Sequence, residues 1–498
     1  DRLDLAECNS FATVSTFAAD LGNTAIFPAL CSSRCLHVIS SERASNPEAL
    51  ADYFQRHPID CLKIVPSHLA ALLTAAQPER ILPKLRLILG GEACSWQIIS
   101  QIQQYAPNCR IFNHYGPTET TVGALAYSLQ PGEKPETQTV PIGRPLANTQ
   151  VYLLDSELQP VPIGVAGELY IGGAGVARGY VNRPELTREK FIPNPFEKSK
   201  GKSQKSKGEN QESELAAGSQ EWETDEESSL SPLASRLSPS HLYKTGDLAR
   251  YLPDGNIEFI GRSDRQVKVH GFRIEPGEIE AALRQHAAVR ETVVLGREDR
   301  GNQRLVAYVV PEQNCNPTTS ELRDFLLDLF PESIVPSVFV RLKALPLTPN
   351  GKIDFQGLPA PDPSKLETGT FVAPRTTTEQ VLAEIWAKIL ALPQVGIHDN
   401  FFELGGDSIQ SIRIVAKANQ AGLQLTPKQM FEHQTIAELA AVAGIAQIET
   451  SRSPATPDDP SPVTKGSAPA DFPGANLNRK DLDQLLAQIH RKSNQKNR

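Results

Sequence analysis

Gly261-Arg262-Ser263-Asp264-Arg265-Gln266-Val267-Lys268 leads through Val269 and His270 into Gly271-Phe272-Arg273-Ile274-Glu275-Pro276-Gly277-Glu278-Ile279-Glu280. Gln266 to Val269 alternates as an exposed strand does, and so does Asn256 to Ile260 just upstream. From Ile279 to Arg284 the pattern is helical. On the N-terminal side, residues 197–240 break the ordered patterning: a lysine block precedes a Glu/Ser block and Ser-Pro pairs. Low hydrophobicity with segregated charge cannot offset ordering entropy, so this segment reads as a disordered insertion. Further back, Cys61 to Val65 and Leu85 to Leu89 are short apolar runs followed by Pro or Gly-Gly and a helical stretch, the alternation of an α/β domain. Val151 to Asp155 and Gly167 to Gly172 read as strands of a β-rich part. On the C-terminal side, Pro359 to Thr378 reads as a linker. Residues 379–445 read as helical throughout, with Val381, Ile385, Trp386 and Ile389 on one face. A Pro/Ser/Asp tail then leads to an amphipathic helix carrying Leu482, Leu485, Leu486 and Ile489.

The chain of 498 residues has ordinary globular composition, 40% hydrophobic and 22% charged, which suggests roughly three domains. Its net charge of −8 argues against nucleic acid as a main partner. No apolar run spans a membrane, and the start Asp1-Arg2-Leu3-Asp4 has no signal-peptide pattern. The 7 cysteines are scattered without a CxxC pair, so neither a disulfide framework nor a zinc site is expected, and the location expected is cytoplasmic.

Four further runs carry chemistry: Asn113-His114-Tyr115-Gly116-Pro117-Thr118-Glu119, Tyr243-Lys244-Thr245-Gly246-Asp247, Asn350-Gly351-Lys352-Ile353-Asp354 and Leu404-Gly405-Gly406-Asp407-Ser408. Singly, each reads as a turn or a solvated charge. In this order and spacing, residues 10–360 resemble the adenylation domain of nonribosomal peptide synthetases. The last run resembles the peptidyl carrier domain that follows it.

The resemblance implies an α/β adenylate-forming fold with a partial large subdomain and a β-rich part, a small α+β lid, and a four-helix-bundle carrier. The implied layout is a core over 1–262, a lid over 263–360, a linker over 361–375 and a carrier over 376–446. A disordered linker over 447–473 and a docking helix over 474–498 would follow. Ser408 would carry 4′-phosphopantetheine, at a helix start where the amide dipole favours a phosphate. Tyr115 would stack on adenine, with Gly91, Glu92, Asn113 and Gly116 lining the nucleotide site. Thr118 would contact phosphate and Glu119 would bind Mg²⁺. Asp247 would take the ribose hydroxyls and Arg262 ribose and phosphate. Lys352 would be catalytic, between the substrate carboxylate and the α-phosphate of ATP. Asp264 would be the hinge on which the lid swings between adenylation and thioester formation.

The family selects its amino acid with side chains at about ten pocket positions, which the resemblance places at Asp20, Leu21, Thr24, Lys63, Ile88, Gly90, His114, Val122, Gly123 and Lys352. Read in order they resemble the family's aspartate pattern. Asp20 would pair with the α-ammonium, and Lys63 with His114 would ask for an anion, because a buried cation without a partner is costly. β-Methylaspartate and asparagine are alternatives. So is a carrier loaded in trans beside an inactive adenylation remnant.

The chain also departs from the family. No Ser/Thr/Gly-rich phosphate loop precedes Phe11, so this stretch alone is expected to adenylate poorly. His270 stands where an arginine is common, which reads as a harmless change within a strand. Phe330 to Pro336 is a loose version of a lid motif. Condensation and thioesterase signatures are absent, so a phosphopantetheinyl transferase and upstream and downstream modules are the expected partners, with neither nucleic acid nor membrane.

Overall fold

Short β-branched and leucine-rich runs punctuated by capped helices build the first layer, in the order β1 (Ser10–Thr13), α1 (Asn23–Cys31), β2 (Cys35–Val38), α2 (Ser41–Ala44), α3 (Pro47–Arg56), β3 (Cys61–Ile64), α4 (Pro66–Leu72), β4 (Arg86–Leu89), α5 (Trp96–Tyr105), β5 (Arg110–Tyr115), β6 (Leu125–Ser128) and β7 (Arg144–Pro145). Ser40, Asn46 and Ser95 cap α2, α3 and α5 by accepting from N–H groups of the first turn. The strands form one sheet ordered β2-β1-β3-β4-β5-β6-β7. It is parallel through β5 and antiparallel beyond. β3 and β4 are buried along their whole length, as central parallel strands must be. The computed structural model describes residues 2–196, 241–361 and 371–445, apart from 131, 134–136, 138, 300–301, 349 and 351.

A second, antiparallel sheet follows from β8 (Thr149–Leu154), β9 (Gly167–Gly173), β10 (Phe191–Pro193), β11 (His241–Tyr251) and β12 (Ile257–Arg262), with α6 (Pro184–Lys190) leading into β10. β12 departs from the exposed alternation expected: Ile257 and Glu258 are both buried, because β12 pairs with β11 and Glu258 accepts from Arg250 at 2.7 Å. The insertion expected over 197–240 lies outside the described residues.

The lid begins with the hairpin β13 (Val267–Val269) and β14 (Phe272–Ile274) and continues through α7 (Pro276–Leu283), β15 (Val289–Asp299), β16 (Asn302–Pro311), α8 (Thr319–Leu327) and β17 (Val338–Arg341). β15, β16 and β17 form its sheet, and α7 and α8 pack on that sheet through Ile279, Leu283, Leu322 and Leu326. Val269 faces this core, so the β13 alternation belongs to a half-buried strand rather than an exposed one. The loose lid motif around Pro331 forms a single 3-10 turn, Glu332–Ile334.

The carrier consists of α9 (Thr377–Leu390), α10 (Ser408–Gln420), β18 (Leu423–Gln424), α11 (Pro427–Glu432), α12 (Ile436–Val442) and β19 (Gly444–Ile445). It is not helical throughout: the chain from Ala391 to Asp407 is a loop, and β18 pairs antiparallel with β19. That loop drops Phe401, Phe402 and Leu404 into the core beside Trp386, which is why it needs no helix. The buried face of α9 centres on Leu382 and Trp386, with Val381, Ile385 and Ile389 at its margin. The linker and helix expected after residue 446 lie outside the described residues. No described helix is long and apolar enough to cross a membrane.

Candidate active site and carrier serine

The carboxyl ends of β3, β4 and β5 open toward β11, β12 and the lid hairpin. Ligands of open parallel sheets bind at such an edge. A cleft of about 560 Å³ lies there, and Gly91, Glu92, Asn113, His114, Tyr115, Gly116, Asp247 and Arg262 all line it. The eight come from widely separated runs of sequence.

Tyr115 donates its hydroxyl to Asp247 Oδ2, and Arg262 donates to Asp247 Oδ1. Burial, then Asp247, hold the Tyr115 phenol well above its ordinary range, so it stays a donor. Arg262 also clasps Asp264 with two bonds of 2.7 and 2.8 Å, which fixes the expected hinge residue on the exposed side of the same guanidinium. The Asn113 amide donates to the carbonyls of Val140 and Pro141 at 3.1 and 2.9 Å, which fixes its side chain at the cleft wall. Thr118 is exposed, and Glu119 is half-buried in the 3-10 turn Thr118–Thr120 that follows Gly116.

The lid hairpin lies directly against this cleft. Glu92 accepts from Ser67 N at 3.1 Å and from Gly271 N at 2.8 Å, so one carboxylate ties α4 to the lid. Lys268 is driven inside, its ammonium 5.4 Å from the centre of the Tyr115 ring, and burial lowers its pKa. Lys352 is not brought to the cleft: it is exposed in a tight turn where Thr348 N donates to its carbonyl at 2.7 Å. The physical reason is that the β13–β14 hairpin already occupies the edge of the cleft.

Gly271 permits this approach. Its φ is +80° and a Cβ there would come within 2.6 Å of Val65 Cγ1. Gly271→Val is therefore expected to release the lid from Glu92. Left-handed backbone alone costs about 1–2 kcal/mol for an L-residue, and the clash adds to it. Energy transfer between dyes on the exposed Cys31 and Cys315, with Cys35→Ser, would report the lost population.

Residues expected to select the amino acid stand at the carboxyl ends of β3, β4 and β5. Lys63 is fully buried on β3, its ammonium 3.3 Å from His114 Nδ1 and 3.5 Å from the Leu89 carbonyl. An ammonium can only donate, so His114 Nδ1 accepts and the imidazole proton sits on Nε2. That Nε2 is buried without a partner among the described residues, and so is Asp20 Oδ2. Burial brings the Lys63 ammonium down to about 7, with Asp20 among the charges that oppose the fall. Burial, then Lys63, hold the imidazole well below its usual range.

The glycines here serve close packing rather than leaving room. A Cβ on Gly90 would stand 2.5 Å from Lys63 Nζ, and one on Gly123 would stand 1.9 Å from His114 Nε2. Leu21 reaches Gly91, and Ile88 packs beneath α1 with Ala25 and Ala29. Thr24 is half-buried on α1. Val122 has a φ of +69°, a strained value for a β-branched residue.

Ser408 is the first residue of α10 and exposed. It is not the cap: Asp407 accepts from Gln410 N while Gln410 accepts from Asp407 N, a reciprocal capping box. The hydroxyl is thus held at a helix N-terminus with no capping task. Around it the carrier rests on both other domains. Ile409 and Ile412 pack on Ala71, and Gln420 donates to the Thr74 carbonyl at 2.7 Å. The Arg323 guanidinium lies 4.2 Å above the Phe402 ring. His270 is not in a strand but in the left-handed turn of the hairpin, φ +51°, and its Nε2 is 3.7 Å from Asp407 Oδ2. It lines both the large cleft and a small recess of about 30 Å³ that Ser408 also lines.

Sequence reasoning gave no role to Lys268, Arg273, Tyr180 or Tyr243. Lys268 and Arg273 were visible in the run around the hinge. Nothing local linked Arg273 to Glu119, which lies 154 residues away.

Three family models match the chain: AMP-binding enzyme over residues 2–181, AMP-binding enzyme C-terminal domain over 278–352, and phosphopantetheine attachment site over 380–443. One of the linear gramicidin synthase proteins of Brevibacillus parabrevis is 47% identical over 429 residues, 84% of this chain and 5% of that protein. Tyrocidine synthase 3 of the same organism is 40% identical over 441 residues, 87% of this chain and 6% of that protein. The chain therefore spans a small part of the length of these curated relatives. Among solved structures, holo-PA1221, a nonribosomal peptide synthetase protein containing adenylation and PCP domains, superposes with TM-score 0.68 at 25% identity, covering 89% of this chain and 67% of that one. The fused adenylation–PCP di-domain NpsA-ThdA from Klebsiella oxytoca gives 0.53 at 25% identity, over 68% of this chain and 59% of that one. The chain belongs to the nonribosomal peptide synthetases, as an AMP-binding adenylation domain with its C-terminal lid followed by a phosphopantetheine attachment domain.

Proposed function

We propose that the adenylation domain activates L-aspartate as aspartyl-AMP and that the carrier receives the aspartyl group on a phosphopantetheine thiol borne by Ser408. The observation that carries the aspartate reading is the buried Lys63–His114 pair, with the unpartnered Asp20 near enough for its charge to act on Lys63. Asp20 accepts the α-ammonium. His114 Nε2–H, backed by the Lys63 ammonium, donates to the β-carboxylate. In so dry a site the charge-assisted bond favours a carboxylate over the neutral amide of asparagine.

Asp247 and Arg262 serve the ribose, Tyr115 and Gly91 the base, and Thr118 with Glu119 would hold Mg²⁺ on the ATP phosphates. The bound metal supplies neutralisation of phosphate charge. A lid turned about Asp264 would bring Lys352 to the reacting carboxylate. The lid orientation seen here, with the Gly271 turn at the cleft and Ser408 at its mouth, suits the transfer step. A phosphopantetheinyl transferase would install the arm, and neighbouring modules would supply and consume the tethered chain.

Calorimetry with the non-hydrolysable aspartyl sulfamoyl adenosine tests the reading. The account expects it to bind more tightly than the asparaginyl and valyl analogues, and equal affinity for all three would refute it. The same titration has a pH signature. Lys63 must be charged to back the carboxylate, and its free-state pKa is about 7. A bound anion raises that pKa. Affinity is therefore full below pH 7 and falls about tenfold per unit above it, until the complex itself deprotonates. A flat profile to pH 9 contradicts the role of Lys63.

A further inference from the structure

Glu119 holds a cation in this structure, and the cation belongs to the lid. Arg273, on β14, donates through Nη1 to Glu119 Oε2 at 2.6 Å and through Nη2 to the Tyr243 hydroxyl at 3.0 Å. Tyr180 donates its hydroxyl to the other oxygen, Oε1, at 2.5 Å. Both oxygens of the carboxylate are thus engaged. Burial raises the Glu119 carboxyl, yet Arg273 and Tyr180 more than offset that and hold it below the usual range. The group is an anion with a cation seated on it.

No cluster of three metal-ligating side chains occurs among the described residues. Magnesium bound through one or two carboxylates and substrate phosphates needs none, so Glu119 fits the metal role proposed above. It cannot fill that role while Arg273 and Tyr180 take both oxygens. Arg273 lies beyond Asp264 in the chain, so it arrives and departs with the lid.

We propose that Arg273 is a positioning residue for the transfer step, taking over at Glu119 the place of the divalent cation, so that metal and this lid orientation exclude each other. This rests on the reading of Glu119 as the metal carboxylate, not on the choice of aspartate. Two independent contacts already bring the hairpin to this edge, Gly271 to Glu92 and Lys268 over Tyr115. Arg273 adds the condition that the metal must have gone. The order of the two half-reactions is then written into a competition for one carboxylate.

The test uses the full chain in its phosphopantetheinylated form, with Mn²⁺ as the probe, alone and with ATP. Free Mn²⁺ is counted by its magnetic resonance signal, and lid position is read by energy transfer between dyes placed on Cys31 and Cys315, in a Cys35→Ser background, before the arm and its thiol are installed. In wild type, Mn²⁺ should drive the lid off the cleft. Arg273→Ala should bind Mn²⁺ at least about fivefold more tightly, the low end of ordinary coupling between two sites, and should leave the lid less docked without metal. Arg273→Lys should behave as wild type, and Glu119→Gln in the Arg273→Ala background should abolish the gain. Equal Mn²⁺ affinity in wild type and Arg273→Ala, with the lid equally docked in both, overturns the proposal. Neither readout depends on the amino acid chosen, so failure of the aspartate reading would leave them intact.

Discussion

Ser408→Ala is expected to abolish phosphopantetheine attachment and every later loading of the carrier, with no loss of fold. The expectation separates chemistry from stability because the two functions sit on neighbouring residues. Asp407 and Gln410 close the helix cap between them, while Ile409, Ile412 and Ile414 anchor α10 in packed surroundings. Ser408 itself is exposed and contributes only its hydroxyl. Thermal unfolding of Ser408→Ala should therefore coincide with wild type, while the intact mass shows no phosphopantetheine increment. Asp407→Ala should do the converse: losing a cap costs about 0.5–2 kcal/mol, yet the nucleophile remains. If Ser408→Ala still gained the arm, the attachment site would lie elsewhere.

Lys63→Met is expected to lower transfer of aspartate by about 10²–10⁴, because removing one partner of a buried ion pair costs about 3–5 kcal/mol. The same change should stabilise the free protein. Burying an ammonium that only an imidazole nitrogen and a carbonyl approach is unfavourable, and its pKa of about 7 is the sign of that cost. Stability rising while aspartate transfer collapses is the pattern of a residue kept for function. Preference should shift toward asparagine, whose amide needs no cation. A variant that still preferred aspartate would mean that His114 or a group elsewhere reads the carboxylate.

Much of this was legible in the sequence because the relevant signals are local. The strands at Cys61 and Arg86 announce themselves as apolar runs between turns, and Leu404 to Ser408 marks a helix start. The pairing of His114 with Lys63 came from the resemblance, since 51 positions separate the two in the chain. What was hidden depends on contacts between distant parts of the chain. Phe401 and Phe402 look helical by composition, but tertiary packing holds them in a loop against Trp386. His270 looked like a strand residue, and only the tight hairpin turn puts it at the mouth of the Ser408 recess. Gly90 and Gly123 are pocket positions by resemblance, and only the fold shows the Lys63 and His114 heads packed against their bare backbone. Lys352 reads as a cleft residue from its motif, and the lid orientation decides where it stands.

Intact-mass measurement of the phosphopantetheinylated chain, offered an equimolar mixture of aspartyl, asparaginyl, glutamyl and valyl adenylates, tests the central claim most directly. The account predicts a dominant aspartyl increment that maps to Ser408 and disappears in Ser408→Ala. A dominant valyl or asparaginyl increment, or equal loading of all four, would contradict it.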